Sequence, residues 1–541
     1  MVKLVALAAR TVALVGALTL AGLSVVTTTP AAIAAPTAVT TAAPAAAPTA
    51  AAGDSGAGLP SDGVLRPPTR DVRQVERSQA AAPPSQPRAQ AQPNAVPAPP
   101  FSFAQSGYVA QSVPAAALPY ARTSPVALTD TGVHDAQGVR MVLVDGTQYN
   151  HPVAQAQYGL DNLASYQLTH TQAYLDRAEA QAQRLVDTKV VSRGAWFFPY
   201  PFDFALHGLA ADTMHAPWYS AMAEGQALSL FVRLYQVTGD AGWLTDADAT
   251  AASFSLPSDP ALPWVVHVDG SSHLWLDEYP IGPGEQTDLT YNGHMFAAFG
   301  LFDYVRQTGD ATAASLFDGA VTTVVAKASS FRTPGWVSSY CLTHHTPAGH
   351  YHDIHIDELL DLYSMTRDTT LAKLSDTFRS DFPHSGSATV RFAKGRYTGY
   401  TFSSAGKVTA SRTLSLSAAS GAPASAYAKI QTRTGLYLKI SAGSLTGYWV
   451  QEQPSLVEAI GPFVHGAYVP GRVATFPSGT TTAYRFSTST GLPSTSKAIV
   501  LSRASAAPVD ESATFNAGRY VRVTAGSLSG YWVPFARVSL S

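Results

Sequence analysis

A helix-ending pattern that occurs three times in the middle of the chain constrains the fold most strongly. The copies occupy residues 235–240, 304–310 and 363–368. In the first two, Gly239 and Gly309 suit the left-handed residue that ends a helix, and Asp240 and Asp310 suit the N-cap of the next helix. Each interval between copies can hold two or more helices. Recurring helical hairpins of this kind stack into an α/α toroid or a solenoid.

Ordered structure should begin firmly near Tyr158. Soon after it, Tyr174, Ala178, Ala182 and Leu185 fall on one face of a helix. We therefore predict a mainly α domain, an α/α toroid built as a barrel of helical hairpins. A toroid leaves a cleft lined by loops and helix ends, where a long polymer can lie.

After about Phe382 the helical periodicity stops, and a duplication becomes visible. Residues 436–450 are echoed by residues 519–533 at an offset of 526 − 443 = 83 residues. The alternation and the glycine-bounded turns predict two copies of a small all-β module. The Tyr and Trp side chains of each copy can stack on sugars, form the core of the module or bind a protein partner, and the sequence leaves these alternatives open.

The first residues have the pattern of a secretory signal. Lys3 and Arg10 supply positive charge, residues 11–26 are apolar or small, and residues 32–34 offer a small-x-small cleavage pattern. An uncleaved anchor is the alternative, but the apolar run is short of the roughly 20 residues that span a bilayer. We expect a secreted, extracellular protein, either free or associated with the cell surface.

These patterns divide the chain into five parts. We predict a signal peptide at 1–34, an Ala/Pro-rich disordered linker at 35–100, a short arm or partial β segment at 101–157, the helical domain at 158–385, and the two-copy β module at 386–541, with copies at about 389–460 and 472–541.

Composition excludes some functions. The net charge is −2, and the absence of a basic patch in the sequence argues against a nucleic-acid partner. The single cysteine, Cys341, cannot form an intrachain disulfide, and we expect it to be a small packed side chain.

Proton-carrying side chains are concentrated between residues 277 and 355, although only 13% of the residues of the chain are charged. The set comprises Asp277, Glu278, Tyr279, Tyr340, His344, Tyr351, His352 and His355. Carboxyl, phenol and imidazole groups together suit a reaction that takes a proton from carbon and returns it. The alternative is ordinary half-buried Tyr and His side chains, each with one satisfied hydrogen bond.

The same region contains residue types that can bind a metal ion. His350, His352 and His355 lie close to Asp353 and Asp357, and zinc takes three or four such ligands. Because the sequence does not settle which helical face these residues share, we predict no metal here.

Four short segments and an aromatic run resemble a known family. They are residues 197–202, 217–229, 277–280, 291–294 and 351–356. Over about Ala195 to Phe382 they resemble the catalytic C-terminal domain of D-glucuronyl C-5 epimerases. That family inverts carbon 5 of glucuronate within a heparosan-like polysaccharide, by removing a proton and redelivering one from the opposite face. The resemblance implies an isomerase with an α/α barrel that works as a homodimer.

The resemblance also implies roles for individual residues. Glu278, Tyr279, Tyr340 and Tyr351 fall on catalytic positions. Glu224, Gln226, Asn292, His344, His352 and His355 are the expected substrate-binding positions. No cofactor is predicted, and calcium is implied only by a β domain of animal relatives for which this chain has too few residues. The expected partners are a uronic acid-containing polysaccharide and, through the C-terminal repeats, a cell-wall or surface glycan.

The chain departs from the family at two positions. Thr343 stands where the family has arginine, which is a natural clamp for a carboxylate. Without it, uronate binding needs another cation, such as Arg332 or a protonated His345. Glu224 stands where the family generally has glutamine, and its charge would repel a uronate. Two other functions therefore remain open, a uronate polysaccharide lyase and a catalytically weakened glycan-binding protein.

Overall fold

The computed structural model describes most of the chain after the linker. The described residues are 95–281, 288–382, 388–403, 407–428, 435–453, 455–460, 464–487, 490–515 and 518–541. The predicted signal peptide and most of the predicted linker lie outside these ranges, so export stays a prediction. Within the described ranges, no helix combines the length and the apolar character needed to cross a membrane.

The described residues contain eight α-helices. They are α1 (Pro152–Thr169), α2 (Gln172–Thr188), α3 (Ala221–Thr238), α4 (Ala241–Ala251), α5 (Tyr291–Thr308), α6 (Ala311–Phe331), α7 (Tyr351–Thr366) and α8 (Thr369–Asp381). Each odd-numbered helix packs against the even-numbered helix that follows it, so the helices form four consecutive hairpins.

The predicted turns between the helices are confirmed. Gly239 and Gly309 end α3 and α5 with φ of 72°. The side chains of Asp240 and Asp310 each accept a hydrogen bond from an N–H in the first turn of the next helix. In the third copy Arg367 takes the left-handed conformation without being glycine, with φ of 61°. A residue with a Cβ tolerates this conformation at some cost, which the continuing hairpin must offset.

The odd-numbered helices form an inner row. Helix α3 packs between α1 and α5, and α5 also contacts α7. Each inner helix is buried over most of its length, whereas outer helix α2 buries only one face, which contains the predicted Tyr174, Ala178, Ala182 and Leu185. A helix covered on all sides needs few charged residues, which matches the composition of α1, α3 and α5. These contacts establish a row of hairpins; its closure into a toroid stays a prediction.

Helices α3 and α5 approach so closely that their backbones touch. A Cβ at Gly300 would lie 2.2 Å from the carbonyl oxygen of Gly225, and a Cβ at Gly225 would lie 2.5 Å from the Cα of Ala297. Only glycine permits this spacing, because any side chain would collide with backbone rather than with a movable side chain.

The segment that the sequence left undecided is partly an extended arm across the helical row. The backbone N–H groups of Gly107 and Tyr108 donate to Asp318 on α6, at 2.9 Å each. Further along, Gln111 N–H donates to the carbonyl of Met365 at 2.7 Å, and the ring of Tyr120 stacks on a phenylalanine of α5. The arm therefore ties the C-terminal end of α7 to the outer helix α6.

Short strand pairs precede and connect the hairpins. They are β1 (Met141–Val144) with β2 (Thr147–Asn150), β3 (Val190–Ser192) with β4 (Ala195–Phe197), β5 (Phe204–Ala205) with β6 (Thr213–Met214), and β7 (Val266–Val268) with β8 (Leu274–Leu276). Since alternate helices of stacked hairpins run parallel, the N-termini of α3, α5 and α7 meet at one end of the row. The loops after β4 and β8 reach that end.

Two seven-stranded antiparallel sheets follow the helices, as the predicted change to β structure requires. The first contains β9 (Ala388–Phe392), β10 (Gly395–Phe402), β11 (Val408–Leu416), β12 (Ser420–Ala428), β13 (Tyr437–Ile440), β14 (Trp449–Gln451) and β15 (Val457–Ile460). The second contains β16 (Val464–Phe476), β17 (Gly479–Phe486), β18 (Pro493–Leu501), β19 (Ser505–Phe515), β20 (Gly518–Val523), β21 (Trp532–Pro534) and β22 (Ser539–Leu540).

The strand orders of the two sheets correspond. The first is β11-β10-β14-β13-β12-β9-β15 and the second is β18-β17-β21-β20-β19-β16-β22. The repeated tryptophans, Trp449 and Trp532, are each 6% exposed. Trp449 packs against Trp336 and Phe382 of the helical region, so its ring serves packing and is not a free sugar-stacking surface.

The close approach of α3 and α5 predicts the effect of one methyl group. We expect Gly300→Ala to destabilise the protein by about 1–3 kcal/mol, because the added Cβ would push the two backbones apart. Urea unfolding followed by circular dichroism measures the change. Gly270→Ala is the matched control, since nothing lies within 4 Å of its Cβ position. Equal stability of the two variants would contradict the packing argument.

Candidate active site

The predicted catalytic residues meet at the N-terminal end of the helical row. The segment with Glu278 and Tyr279 leaves β8 and is anchored to α3, where Ala221 N–H donates to the carbonyl of Asp277 at 2.8 Å. Tyr340 is anchored to α5, because Tyr291 N–H donates to its carbonyl at 3.3 Å. Three loops and helix ends from distant parts of the sequence thereby converge.

Glu278, Tyr279, Tyr340 and Tyr351 form one cluster, which we call the phenol cluster. The hydroxyls of Tyr279 and Tyr340 are 3.2 Å apart, and the Tyr340 hydroxyl donates to a carboxyl oxygen of Glu278 at 3.3 Å. The rings of Tyr340 and Tyr351 are 4.9 Å apart between centroids. All four side chains are at most 1% exposed. The structure thus brings together the four residues that the resemblance placed in catalysis.

Glu278 rests against the first turn of α5. A Cβ at Gly293 would lie 2.2 Å from one of its carboxyl oxygens, so the missing side chain makes room for the carboxyl. The N-terminus of a helix carries partial positive charge and favours a carboxylate. Even so, burial raises the pKa of Glu278 to about 8, although hydrogen bonds from Thr290, Tyr279 and Tyr340 oppose the shift.

The phenols of the cluster are poor acids. Burial, followed by the nearby charge of Glu278, raises the pKa of Tyr279, Tyr340 and Tyr351 well above the usual phenol value. At neutral pH the phenols therefore keep their protons and can donate them. Glu278, with a pKa near neutrality, can both hold and release a proton.

Three of the predicted substrate-binding side chains lie on the inner helices. Within the described ranges, the side-chain amides of Gln226 on α3 and Asn292 on α5 are buried with no hydrogen-bond partner, as is the Nε2 atom of His355 on α7. Buried amides without partners are costly. Groups of this kind suit the recognition of a polar ligand, which the resemblance assigned to all three residues.

Glu358 is a buried acid that the sequence reasoning missed. Both of its carboxyl oxygens lack a hydrogen-bond partner among the described residues. Burial raises the pKa of Glu358 well above its usual value, with Asp361 and Glu278 adding to the shift. Helical spacing was the available signal, because Tyr351, His355 and Glu358 are related by steps of four and three residues and share one face.

The remaining predicted residues occupy different surroundings. Glu224 is fully buried, accepts a hydrogen bond from Phe198 N–H at 3.0 Å, and has its pKa raised to about 8 by burial. It is therefore mainly neutral near pH 7, which weakens the expected repulsion of a uronate. His352 accepts from Ser338 N–H at 2.9 Å, and its Nε2 lies 3.0 Å from the Phe378 carbonyl, so both ring nitrogens tie α7 to its neighbours.

His344 lies outside the phenol cluster. Its Nδ1 is 2.9 Å from Asp288 Oδ2 and its Nε2 is 3.1 Å from Asp212 Oδ2. Asp288 also meets His207, with 2.6 Å between Nε2 and Oδ2. His207 and Asp288 were not predicted, and the sequence offered no pattern that links them to His344.

Residues 192–380 match the family model described as D-glucuronyl C5-epimerase C-terminus, and over this part the chain is similar to that family. A D-glucuronyl C5-epimerase of Caenorhabditis elegans is 28% identical over 111 residues, which are 20% of this chain and 17% of that protein.

Other relatives match in part. An uncharacterized protein of Methanocaldococcus jannaschii is 25% identical over 195 residues, 36% of this chain and 60% of that protein. The chain thus spans less than two thirds of the length of either curated relative. Among solved structures, a family 76 α-mannanase of Bacteroides thetaiotaomicron has a TM-score of 0.32 at 13% identity, covering 45% of this chain and 61% of that one. Cellobiose 2-epimerase of Bacillus thermoamylovorans has a TM-score of 0.31 at 13% identity, covering 45% and 63%.

The buried carboxyl of Glu224 predicts a pH-dependent stability. The ordinary pKa of a glutamate carboxyl is 4.5, and in the folded chain that of Glu224 is about 8. As pH rises between these values, the unfolded chain loses this proton while the folded chain keeps it, so Glu224 lowers the stability of the fold progressively. Glu224→Gln should remove that loss and stabilise the protein at pH 9 by on the order of a few kcal/mol relative to the natural chain. The difference should shrink at pH 5.

Thermal unfolding of the natural chain and the variant between pH 5 and 9 measures this difference. Asp187→Asn is the matched control, since it removes one exposed carboxyl. A Glu224→Gln variant with the same pH slope as the natural chain would show that Glu224 has an ordinary pKa.

Proposed function

We propose that the protein is a carbohydrate epimerase that inverts carbon 5 of glucuronate residues within a polysaccharide. The observation that carries the proposal is the convergence of Glu278 with three phenols in one buried cluster. The match of residues 192–380 to the D-glucuronyl C5-epimerase family model supports the same reaction. Inversion at carbon requires one group to take a proton and another to return one, and this cluster holds both kinds of group.

The pKa directions suggest how the roles divide. A carboxyl with a pKa of about 8 exchanges its proton close to neutral pH. Phenols with pKa values well above 10 donate protons but are seldom ionised. We therefore assign the ionised fraction of Glu278 as the base and a phenol as the acid. The enolate that forms after proton removal needs hydrogen-bond donors, which Asn292 and Gln226 can supply.

A surface cavity beside the cluster suits a sugar chain. Its volume is about 440 Å³, and its lining includes Trp218, Tyr219, Trp264 and Pro280. Aromatic rings pack on the apolar faces of sugars, and Pro280 directly follows Tyr279 in the chain. The ring of Trp218 lines this cavity and lies 6.2 Å from that of Tyr279 between centroids, so the cavity adjoins the phenol cluster.

An acidic polymer is favoured by a second cavity, between α8 and the second sheet. Its volume is about 660 Å³. The charged side chains that line it are Arg332, Lys373, Asp376, Arg379, Arg472 and Arg519. Five cations and one carboxylate line it. Arg472 and Arg519 both pair with that carboxylate, and Arg332 pairs with Asp381 outside the lining. Arg379 is 2% exposed, and its Nε and Nη2 have no hydrogen-bond partner within the described ranges.

We propose that this cationic cavity holds carboxylate groups of the polymer, which makes the C-terminal region a glycan-binding unit. The matching strand orders and the 83-residue sequence echo support descent of both sheets from one duplicated module. Closure of the helical row into a toroid and assembly as a homodimer are proposed from the family resemblance alone.

The reaction can be tested with heparosan in heavy water. Deuterium at carbon 5 of an unbroken chain is the expected result. Cleavage with an unsaturated sugar end would instead identify a lyase, and binding without either change would identify a glycan-binding protein. Tyr340→Phe and Tyr351→Phe should each lower the rate of deuterium exchange by about 100-fold or more, because a proton carrier is lost.

The matched control is Tyr174→Phe. It removes the hydroxyl of another buried tyrosine, which donates to the Val126 carbonyl at 2.6 Å away from the cluster. Near-normal exchange in both the Tyr340 and Tyr351 variants would exclude these phenols from the reaction.

Lys373 provides the test of the cationic cavity. We expect Lys373→Glu to weaken binding of a heparosan oligosaccharide roughly tenfold, because an attraction becomes a repulsion, and the effect should fade at high salt. Calorimetric titration measures it, with neutral dextran as the ligand control. Lys407→Glu, an equal charge change at an exposed lysine beside β11, should leave binding unchanged. Equal losses of affinity in both variants would show that the net charge of the protein, and not the cavity, determines binding.

A further inference from the structure

Four side chains of three chemical types converge beside the phenol cluster. They are His207, Asp288, Cys341 and His344, and their ligand atoms all lie within 4.8 Å of one another. His207 Nε2 is 2.6 Å from Asp288 Oδ2 and 3.4 Å from Cys341 Sγ. His344 Nδ1 is 2.9 Å from the same Asp288 oxygen.

Such a donor set is typical of a zinc centre. Zinc is held by four donors in a tetrahedron, and imidazole nitrogen, thiolate sulfur and carboxylate oxygen are its usual ligands. With bonds of about 2.0–2.3 Å, neighbouring donors in a tetrahedron lie roughly 3–4 Å apart. The distances among these atoms need only small outward shifts to reach that range.

The surrounding hydrogen bonds have the arrangement that metal ligands require. His344 presents Nδ1 to the cluster, while its Nε2 lies 3.1 Å from the carboxylate of Asp212. Asp288 points Oδ2 into the cluster, while its Oδ1 accepts a hydrogen bond from Thr343 N–H at 3.3 Å. A ligating histidine usually donates its other ring N–H to a carboxylate, and ligating carboxylates are themselves hydrogen-bonded.

The backbone holds the donors in place from separate parts of the sequence. Leu342 N–H donates to the Leu289 carbonyl at 3.0 Å, and Thr290 and Cys341 form a β-bridge. This pairing fixes Asp288 next to Cys341. His207 reaches them from another loop, where its backbone has the left-handed φ of 55°. A non-glycine residue in that conformation is uncommon and is often found at functional sites.

The charge of the cluster also calls for a cation. The side chain of Asp288 is only 1% exposed, and a buried carboxylate is costly unless a positive charge faces it. His344 lies between the carboxylates of Asp288 and Asp212, and a metal ion at Asp288 Oδ2 would supply positive charge to both. The thiol of Cys341, 3.4 Å from His207 Nε2, adds a soft donor that suits a metal ion.

We propose that His207, Asp288, Cys341 and His344 bind a divalent metal ion, with zinc preferred because the set includes a thiol. The ring of His207 is 6.1 Å from that of Tyr340, so the ion would lie beside the phenol cluster. It would place a positive charge close to Thr343, the position at which the family has arginine. This electrostatic role rests on the proposed function, whereas metal binding does not.

Cobalt substitution tests the site directly. Because Cys341 is the single cysteine of the chain, a thiolate-to-cobalt charge-transfer band in the near ultraviolet can arise from no other residue. We expect the purified full chain, stripped with a chelator and titrated with Co²⁺, to show this band at one ion per chain. Cys341→Ser should abolish the band, and zinc should displace the cobalt.

Asp212 gives a graded test of the same site. Asp212→Asn should weaken zinc binding, measured by calorimetry, by about 10- to 100-fold, since it removes the acceptor that orients His344. His215→Ala is the control, because this histidine is exposed and pairs with Asp203 instead. Circular dichroism verifies that each variant is folded.

Two results would overturn the proposal. One is the absence of a charge-transfer band in the folded natural chain. The other is cobalt and zinc binding that persists unchanged in Cys341→Ser. Either result would leave the contacts of His207 and His344 with Asp288 as structural hydrogen bonds only. Neither depends on epimerase activity, so loss of the metal proposal and loss of the proposed reaction can be told apart.

Discussion

The contact between the backbones of α3 and α5 sets the geometry on which the site depends. Gly225 and Gly300 let the two helices touch, and the buried amides of Gln226 and Asn292 lie on these two adjacent helices. About two turns before Gly300, Gly293 leaves the gap that the carboxyl of Glu278 fills. Small residues in the inner row thus leave space inside the protein, and polar side chains occupy part of that space.

The buried polar groups also determine the electrostatics of the site. Carboxyl groups at Glu224, Glu278 and Glu358 are buried, and burial raises the pKa of each. Near neutral pH the end of the row is consequently a set of mostly protonated acids, phenols and amides. A uronate that enters it meets hydrogen-bond donors instead of negative charges. The raised pKa values of these glutamates lower the stability of the folded chain at high pH, and they also make the site suitable for the proposed acidic sugar.

The sequence predicted those features whose signals are local. Helix ends at Gly239 and Gly309 follow from the conformation that glycine favours, and the caps at Asp240 and Asp310 follow from short side-chain geometry. The phenol cluster was predicted only through the family resemblance, because its members are up to 73 residues apart (351 − 278 = 73). Periodicity alone carries no information about contacts over that distance.

The features that were missed depend on such distant contacts. His207, Asp288 and Cys341 belong to three loops that have no common pattern, and Cys341 was interpreted as packing alone. The course of the arm before α1 was undecided, because its hydrogen bonds go to helices some 200 residues later. The repeated tryptophans show the opposite difficulty: the repeat was plain in the sequence, but whether the rings face solvent or core depends on what the sheets pack against.

What they pack against also changes the role of the C-terminal region. Asp376 on α8 accepts from the hydroxyl of Tyr468 at 2.8 Å and from Arg472 at 3.0 Å, and it also pairs with Arg519. The strand β16 packs on α7, the helix that begins with Tyr351. A loosely tethered module would make no such contacts. The second sheet therefore supports the helix that carries a proposed catalytic phenol, and the cationic cavity lies in the junction that holds them together. The proposed binding of an acidic chain in that junction would act on the same helix, and it would give the C-terminal sheets a part in the proposed reaction beyond retention at a surface.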